Sequence, residues 1–255
     1  GSEFGPTTVS PDMTAAEVAF AVLRKQFAVL RANEPGTRLG EDIEALHDMR
    51  VASRRLRAAM AAFRPFLTPR MLRFRDQLGW VAAALGEVRD LDVQLERMHE
   101  WRANFPPERA AALEAVEELL EARRKAARKR MLAVLDSRRY EQLCQSLGSA
   151  LRFGSPKSFA PGRAPVLSIA PDMVERRYKR VRKQGDAINK ESPPDSYHAL
   201  RIDAKKLRYA LEFFGPLYGK QAIEFSARVT ALQDVLGLHQ DAEVATDLLS
   251  ELAET

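Results

Sequence analysis

The sequence predicts an all-α protein of two four-helix bundles, and three observations carry that expectation. Apolar residues recur at three- and four-residue spacing in nearly every segment, and no stretch keeps a convincing strand alternation. Two motifs occur twice at one register. HDMRVASRRLRAAM, from His47, reads like HALRIDAKKLRYAL, from His198, and Leu85, Gly86 and Asp90 match Leu236, Gly237 and Asp241, all displaced by 151 residues. An unchanged offset over two motifs points to internal duplication. A stretch rich in Pro, Gly and Ser, residues 153–171, reads as an irregular linker between the copies.

The elements follow in order. The leading GSEFG reads as a cloning scar, and residues 1–11 are expected to be disordered and outside the fold. A first helix starts after Pro11 and Asp12 and runs to about Asn33, where Glu34, Pro35 and Gly36 stop it. A second covers about 41–66. Pro69 opens a third that reaches about Trp101, and Pro106 and Pro107 introduce a long fourth over about 108–135. A shorter fifth covers about 139–152. After the linker, three helices are expected over about 172–189, 195–214 and 220–252.

The sixth helix is similar to the first. Phe20, Arg24, Lys25, Gln26 and Leu30 correspond to Tyr178, Arg182, Lys183, Gln184 and Ile188, at an offset of 158 residues. Each copy is therefore three helices, residues 12–152 holding the first with its connecting helices and 172–255 the second. The economical assembly has the fourth helix completing the first bundle and the fifth completing the second.

Composition excludes several function classes. The 255 residues, 45% hydrophobic and 29% charged, can bury a sizeable core, as one large domain or two smaller ones. A net charge of +5 is mild, so a polyanion site has to come from local clustering. Basic residues gather at 50–75, 123–130 and 176–183, and acids at 41–44, 87–100 and 114–121. The single cysteine, Cys144, supports neither a disulfide framework nor a thiolate metal site. No apolar run approaches the roughly 20 residues that span a bilayer, so no membrane role and a cytoplasmic location are expected.

The second helix of each copy carries the chemistry. At 100° per residue with His47 at zero, Arg54 lies near about 340°, Arg50 near 300° and Arg57 near 280°, while Met49, Leu56, Met60 and Phe63 fall between about 160° and 220°. His198, Arg201, Lys205 and Arg208 take the same angles opposite Leu200, Leu207, Leu211 and Phe214. A solvated face is the ordinary reading of one Arg-rich helix, but such a face normally mixes Glu with Lys. These stripes are nearly acid-free, they are duplicated, and they repel themselves without a polyanion. Each spans about 15 Å of helix, which suits an extended chain of charges better than one small phosphate. Under a pseudo-twofold axis the stripes would face a shared basic groove, with Arg24, Lys25, Arg182 and Lys183 as further walls.

The two strings beginning at His47 and His198, extended to HDMRVASRRLRAAMAAFRPFL and HALRIDAKKLRYALEFF, together with LGEVRDLDV and LQDVLGLHQD, resemble the CHAD domain, the conserved histidine α-helical domain. The resemblance covers almost the whole chain after the scar. It implies two four-helix bundles with pseudo-twofold symmetry around a basic groove or pore that binds inorganic polyphosphate, and association with polyphosphate granules. The family's histidine and basic positions carry over onto His47, Arg50, Arg54, Arg57, His198, Arg201, Lys205 and Arg208. The family often sits beside a CYTH domain, and no segment here resembles its acidic β-tunnel.

Other chemistry finds less support. His47 with Asp48, or His239 with Asp241, do not share a helical face, so no metal site and no cofactor are expected. The stripes offer no carboxylates to hold a divalent ion, and the chain shows no nucleophile or phosphate-cradling Gly loop, so no enzymatic activity is expected. His47 and His198 read as groove donors to phosphate or, structurally, as braces between helices. Asp90 and Asp241 read either as orienters of a groove Arg or His or as salt bridges between helices. Gly86 and Gly237 read as sites of close helix packing. The 123–130 run reads mainly as solvated surface, and Trp80 and Trp101 as helix contacts. Binding of nucleic acid through backbone phosphate uses the same cations and stands as the alternative, although Phe63, Phe66, Phe213 and Phe214 lie away from the stripes and offer no stacking platform.

Overall fold

The computed structural model describes the backbone of residues 1–104 and 107–253 and the side chains of residues 1–104 and 113–238. Among the described residues there are eight α-helices and no strand: α1 (Ala15–Leu39), α2 (Ile43–Ala62), α3 (Pro69–Asn104), α4 (Pro107–Leu135), α5 (Arg138–Phe153), α6 (Val166–Ala187), α7 (Pro194–Tyr218) and α8 (Lys220–Ala253). No helix among them is long and apolar enough to cross a membrane.

The helix starts obey local chemistry. Thr14 and Glu17 form a capping box before α1: the Glu17 carboxylate accepts from Thr14 N–H at 2.8 Å, and Thr14 Oγ1 accepts from Glu17 N–H at 3.3 Å. Thr68 Oγ1 accepts from Met71 N–H ahead of α3, whose first residue is Pro69. Ser137 caps α5 through Tyr140 N–H.

Three prolines lie inside helices where the sequence predicted boundaries or linker. Pro35 is inside α1, Pro171 inside α6 and Pro216 inside α7. Each removes one helical hydrogen bond, to the carbonyl four residues earlier. For Pro35 and Pro171 that carbonyl belongs to an exposed residue, Arg31 or Leu167, where water can replace the lost donor. The start of α6 is also tied down from outside, since Val166 N–H donates to the Met13 carbonyl at 3.0 Å and Ala15 N–H to the Ala164 carbonyl at 2.7 Å. The linker is therefore shorter than predicted.

The chain divides into two compact units. The first holds Gly1–Thr7, Phe20–Met60 and Leu67–Pro156, and the second holds Thr8–Ala19, Ala61–Phe66 and Lys157–Thr255. This places α5 in the first unit, where the sequence reading had it completing the second bundle. The reason is the short Asp136–Ser137 connection, which returns the chain against its neighbours, and an apolar face of Tyr140, Leu143, Leu147 and Leu151 that is buried. In the first unit Leu23, Phe27, Leu30, Met49, Leu56, Leu78 and Leu85 are fully buried. The second packs Val181, Leu200, Ala204, Leu207, Leu211, Val229 and Leu236 into one core.

Some of the leading residues pack against the first unit. Ser2 and Gly5 close a hydrogen-bonded turn, and Phe4 is buried with its ring 4.7 Å from that of Phe27. An aromatic side chain next to an apolar helix face finds burial whatever its origin.

A polar network joins α1 to α5. Glu34, expected as a helix stop, is buried inside α1. It accepts from Tyr140 Oη at 2.9 Å and from Arg38 Nε at 2.9 Å, and it pairs with Arg31. Burial pushes the Tyr140 hydroxyl well above its ordinary range, so it remains a donor. The C-terminal end of α1 is capped from α4. The Arg128 guanidinium donates to the carbonyls of Thr37, Arg38 and Leu39 at 3.2, 2.7 and 3.0 Å. Gly40 follows at φ +75°, and a Cβ there would meet that guanidinium.

Candidate functional site

The buried sides of α2 and α7 are those the periodicity predicts. Met49, Leu56 and Met60 on α2, with Phe63 just beyond it, have no exposed surface, and Leu200, Leu207, Leu211 and Phe214 on α7 are buried. The basic residues therefore leave each helix on the opposite side, four from α2 in the first unit and four from α7 in the second.

On α2 the cations are held against α3. Arg50 Nη2 donates to Asp90 Oδ1 at 3.0 Å, so one contact both orients the guanidinium and ties the two helices. A Cβ on Gly86 would lie 3.6 Å from Arg50 Nε, and one on Gly79 would lie 3.4 Å from the Arg57 guanidinium. Arg50 and Arg57 are seven residues apart, and so are Gly86 and Gly79, so each arginine lies over a glycine of α3. Arg54 is half-buried. His47 is half-buried, and its Nδ1 is buried with no hydrogen-bond partner.

On α7, Arg201, Lys205 and Arg208 are half-buried and His198 is exposed. Arg208 Nη1 lies 3.7 Å from Glu212 Oε1, and its guanidinium lies over the Tyr209 ring. Its Nε is buried with no hydrogen-bond partner, as is Nε of Arg57, the equivalent residue of the first copy. Buried donors normally find an acceptor, and the repeat leaves the same one unmatched twice. The copies differ at α8. Thr230 stands where α3 has Gly79, and among the described residues a Cβ on Gly237 would meet no atom within 4 Å, where one on Gly86 would meet Arg50. Asp241 and His239 lie outside the residues whose side chains are described.

The four predicted wall residues have separate surroundings. Arg24 is turned to α5, where its Nε donates to the Leu151 carbonyl at 2.9 Å, and burial lowers its affinity for a proton. Lys25 is exposed. Arg182 is exposed and lies 3.5 Å from Asp186 one turn on, and Lys183 is exposed. The α4 cations hold helices together: Arg124 pairs with the buried Asp92, Arg130 with Glu87, and Arg128 caps α1. Trp80 lies under the Arg139 guanidinium at 4.1 Å, and Trp101 packs beside Leu95, Met98 and Leu120. Phe63 is buried 5.4 Å from Phe214 and 6.2 Å from Phe213, away from any basic face. Among the described residues no group of three or more His, Cys, Asp or Glu is placed to hold a metal ion.

Gly79 was missed by sequence reasoning. It has no glycine counterpart in the second copy, and the only available signal was its seven-residue spacing from Gly86. Substituting Gly79→Leu should push Arg57 off α3 and destabilise the first unit by about 1–3 kcal/mol through overpacking. Gly79→Ala should, by helix propensity, gain up to about 1 kcal/mol. Comparing the unfolding curves of both variants checks this.

The comparisons with known proteins accord with this architecture. The crystal structure of the CHAD domain from the plant Ricinus communis superposes with a TM-score of 0.80 at 28% identity, covering 98% of this chain and 84% of that one. PptA from Streptomyces chartreusis gives 0.74 at 19% identity, covering 95% and 87%, a likeness of fold. None of the curated proteins compared matches the chain. The CHAD domain family model matches residues 21–250, and the chain belongs to the CHAD domain family.

Proposed function

We propose that the protein binds inorganic polyphosphate without chemical turnover, through the stripe His47, Arg50, Arg54 and Arg57 on α2 and the stripe His198, Arg201, Lys205 and Arg208 on α7. The observation that carries the reading is the pair of basic faces on α2 and α7, set opposite the buried sides of both helices and repeated at one offset. A guanidinium presents a planar fork to phosphate oxygens, and a polymer with one charge or more per phosphate releases counterions as it binds. Membership of the CHAD family supports the ligand class. Two stripes acting on one polymer would add their contributions. Recruitment to polyphosphate granules follows as the cellular consequence, and a fluorescent fusion is expected to collect on granules and to disperse when the stripes are neutralised.

Titration calorimetry with long-chain polyphosphate at about 0.15 M salt, with single-stranded RNA as competitor, tests the reading. Tight binding that RNA does not displace supports it, and equal binding by RNA returns the nucleic-acid alternative. Phosphate release on adding magnesium would sink the non-enzymatic part.

A further inference from the structure

A second cluster of cations lies in the second unit on another side of α7. Arg176, Arg177, Arg180, Asp203 and Lys206 line a cleft of 340 Å³ between α6 and α7. Asp203 is buried and uses both oxygens: Oδ2 accepts from Arg180 Nε at 2.6 Å and from Gln184 Nε2 at 2.8 Å, and Oδ1 accepts from Lys206 Nζ at 3.0 Å. Burial raises its affinity for a proton, but the bonds from Lys206 and Arg180 outweigh this and hold the carboxyl below its ordinary value. It stays charged at neutral pH.

Arg176 and Arg177 have no such partner. Arg176 Nε reaches the Asp172 carbonyl at 3.2 Å and Arg177 Nη1 the Met173 carbonyl at 2.7 Å, both on their own helix. Among the described residues no carboxylate lies within ion-pair distance of either. Burial, then the neighbouring charge of Arg176, pushes the half-buried Arg177 below its ordinary value. Four cations thus face one carboxylate.

Most of the cluster is not part of the duplicated set, although Lys206 corresponds to Arg55. At the offsets that relate the copies, Arg176, Arg177, Arg180 and Asp203 correspond to Val18, Ala19, Val22 and Ala52, all buried apolar residues. The second copy therefore carries charge at four positions where the first carries core. With His198 at zero, Lys206 and Asp203 lie at about 80° and 140° around α7, away from Arg201, Lys205 and Arg208 at about 280–340°.

We propose that this cleft is a separate site for a short inorganic phosphate chain, pyrophosphate or tripolyphosphate. The excess positive charge asks for a multiply charged anion. The small volume and the absence of any aromatic side chain from the lining residues disfavour a nucleoside or a duplex. The site does not depend on the stripes.

The full-length chain titrated with pyrophosphate at about 0.15 M salt provides the test. Arg176→Gln with Arg180→Gln, both exposed positions, should weaken pyrophosphate by about tenfold or more and leave long-chain polyphosphate binding largely intact. Alanine at Arg54, Arg57, Lys205 and Arg208 should do the reverse. Asp203→Asn, in protein shown to be folded by its melting curve, should bind pyrophosphate several-fold more tightly, because a competing carboxylate is gone. Absence of pyrophosphate binding by the parent chain, no loss in the Arg176, Arg180 variant, or weaker binding by folded Asp203→Asn would each overturn the proposal. Loss of long-chain binding alone in the stripe variant leaves this site standing and bears only on the stripes.

Discussion

Alanine at Arg54, Arg57, Lys205 and Arg208 is expected to weaken long-chain polyphosphate binding by at least about 100-fold at about 0.15 M salt, with helicity unchanged. Charge-assisted hydrogen bonds contribute about 1.5–3 kcal/mol each, and four such donors are removed together. Alanine is the best helix former, so the variant keeps its helices. Removing four cations should also flatten the salt dependence by about three logarithmic units per decade of salt, on the single-strand scale of about 0.7 per contact. A control that neutralises the exposed Arg123, Lys125 and Lys129 of α4 separates a built site from bulk charge. It should change affinity little, and a loss equal to that of the stripe variant would count against the stripes.

Glu34→Ala should be the most damaging single change to the stability of the first unit, by about 2–4 kcal/mol. The carboxylate has 11% of its side chain exposed and holds Arg31, Arg38 and Tyr140 together. Its removal strands a buried hydroxyl and takes the carboxylate partner from Arg31, while Arg38 keeps Asp136 and the Leu135 carbonyl. Because Arg31 and Arg38 keep 40% and 32% of their side-chain surface in water, the loss falls below that of a fully buried pair. The melting temperature should fall by roughly 5–15 °C. Tyr140→Phe should cost about 1 kcal/mol, and combining it with Glu34→Ala should cost less than the sum, since the stranded hydroxyl goes too. Full additivity in that cycle would mean the network does not couple.

The helices and both stripes were legible in the sequence because duplication supplies an internal second copy, so that angles around α2 could be checked against α7. The proline boundaries were misread for a physical reason. A proline removes one hydrogen bond, and α1 and α6 tolerate the loss where the freed carbonyl reaches water. Glu34 was read as a stop because it precedes Pro35, whereas Arg31 and Arg38, three residues before and four after it, were the signal of a buried acid inside a helix. The placement of α5 was available in the short Asp136–Ser137 turn, which favours antiparallel neighbours. The Arg128 cap and the seating of Arg57 on Gly79 were not legible, since both depend on where two distant helices meet. The cleft at Asp203 was hidden for the opposite reason, because comparing the copies highlights what they share and passes over what one of them changed.

The interleaving of the two units sets an order of events during synthesis. Residues Thr8–Ala19 and Ala61–Phe66 belong to the second unit, yet they leave the ribosome long before Lys157. The Ala15 N–H has to wait for the Ala164 carbonyl, and Met13 for Val166. The first unit can close while the chain is still growing, but the second gathers its pieces only once the residues from Lys157 onward have been made, a closure of high sequence separation and therefore slow. Until then the apolar Phe63 stays without Phe213 and Phe214, and a ribosome stalled before residue 157 would present it to chaperones.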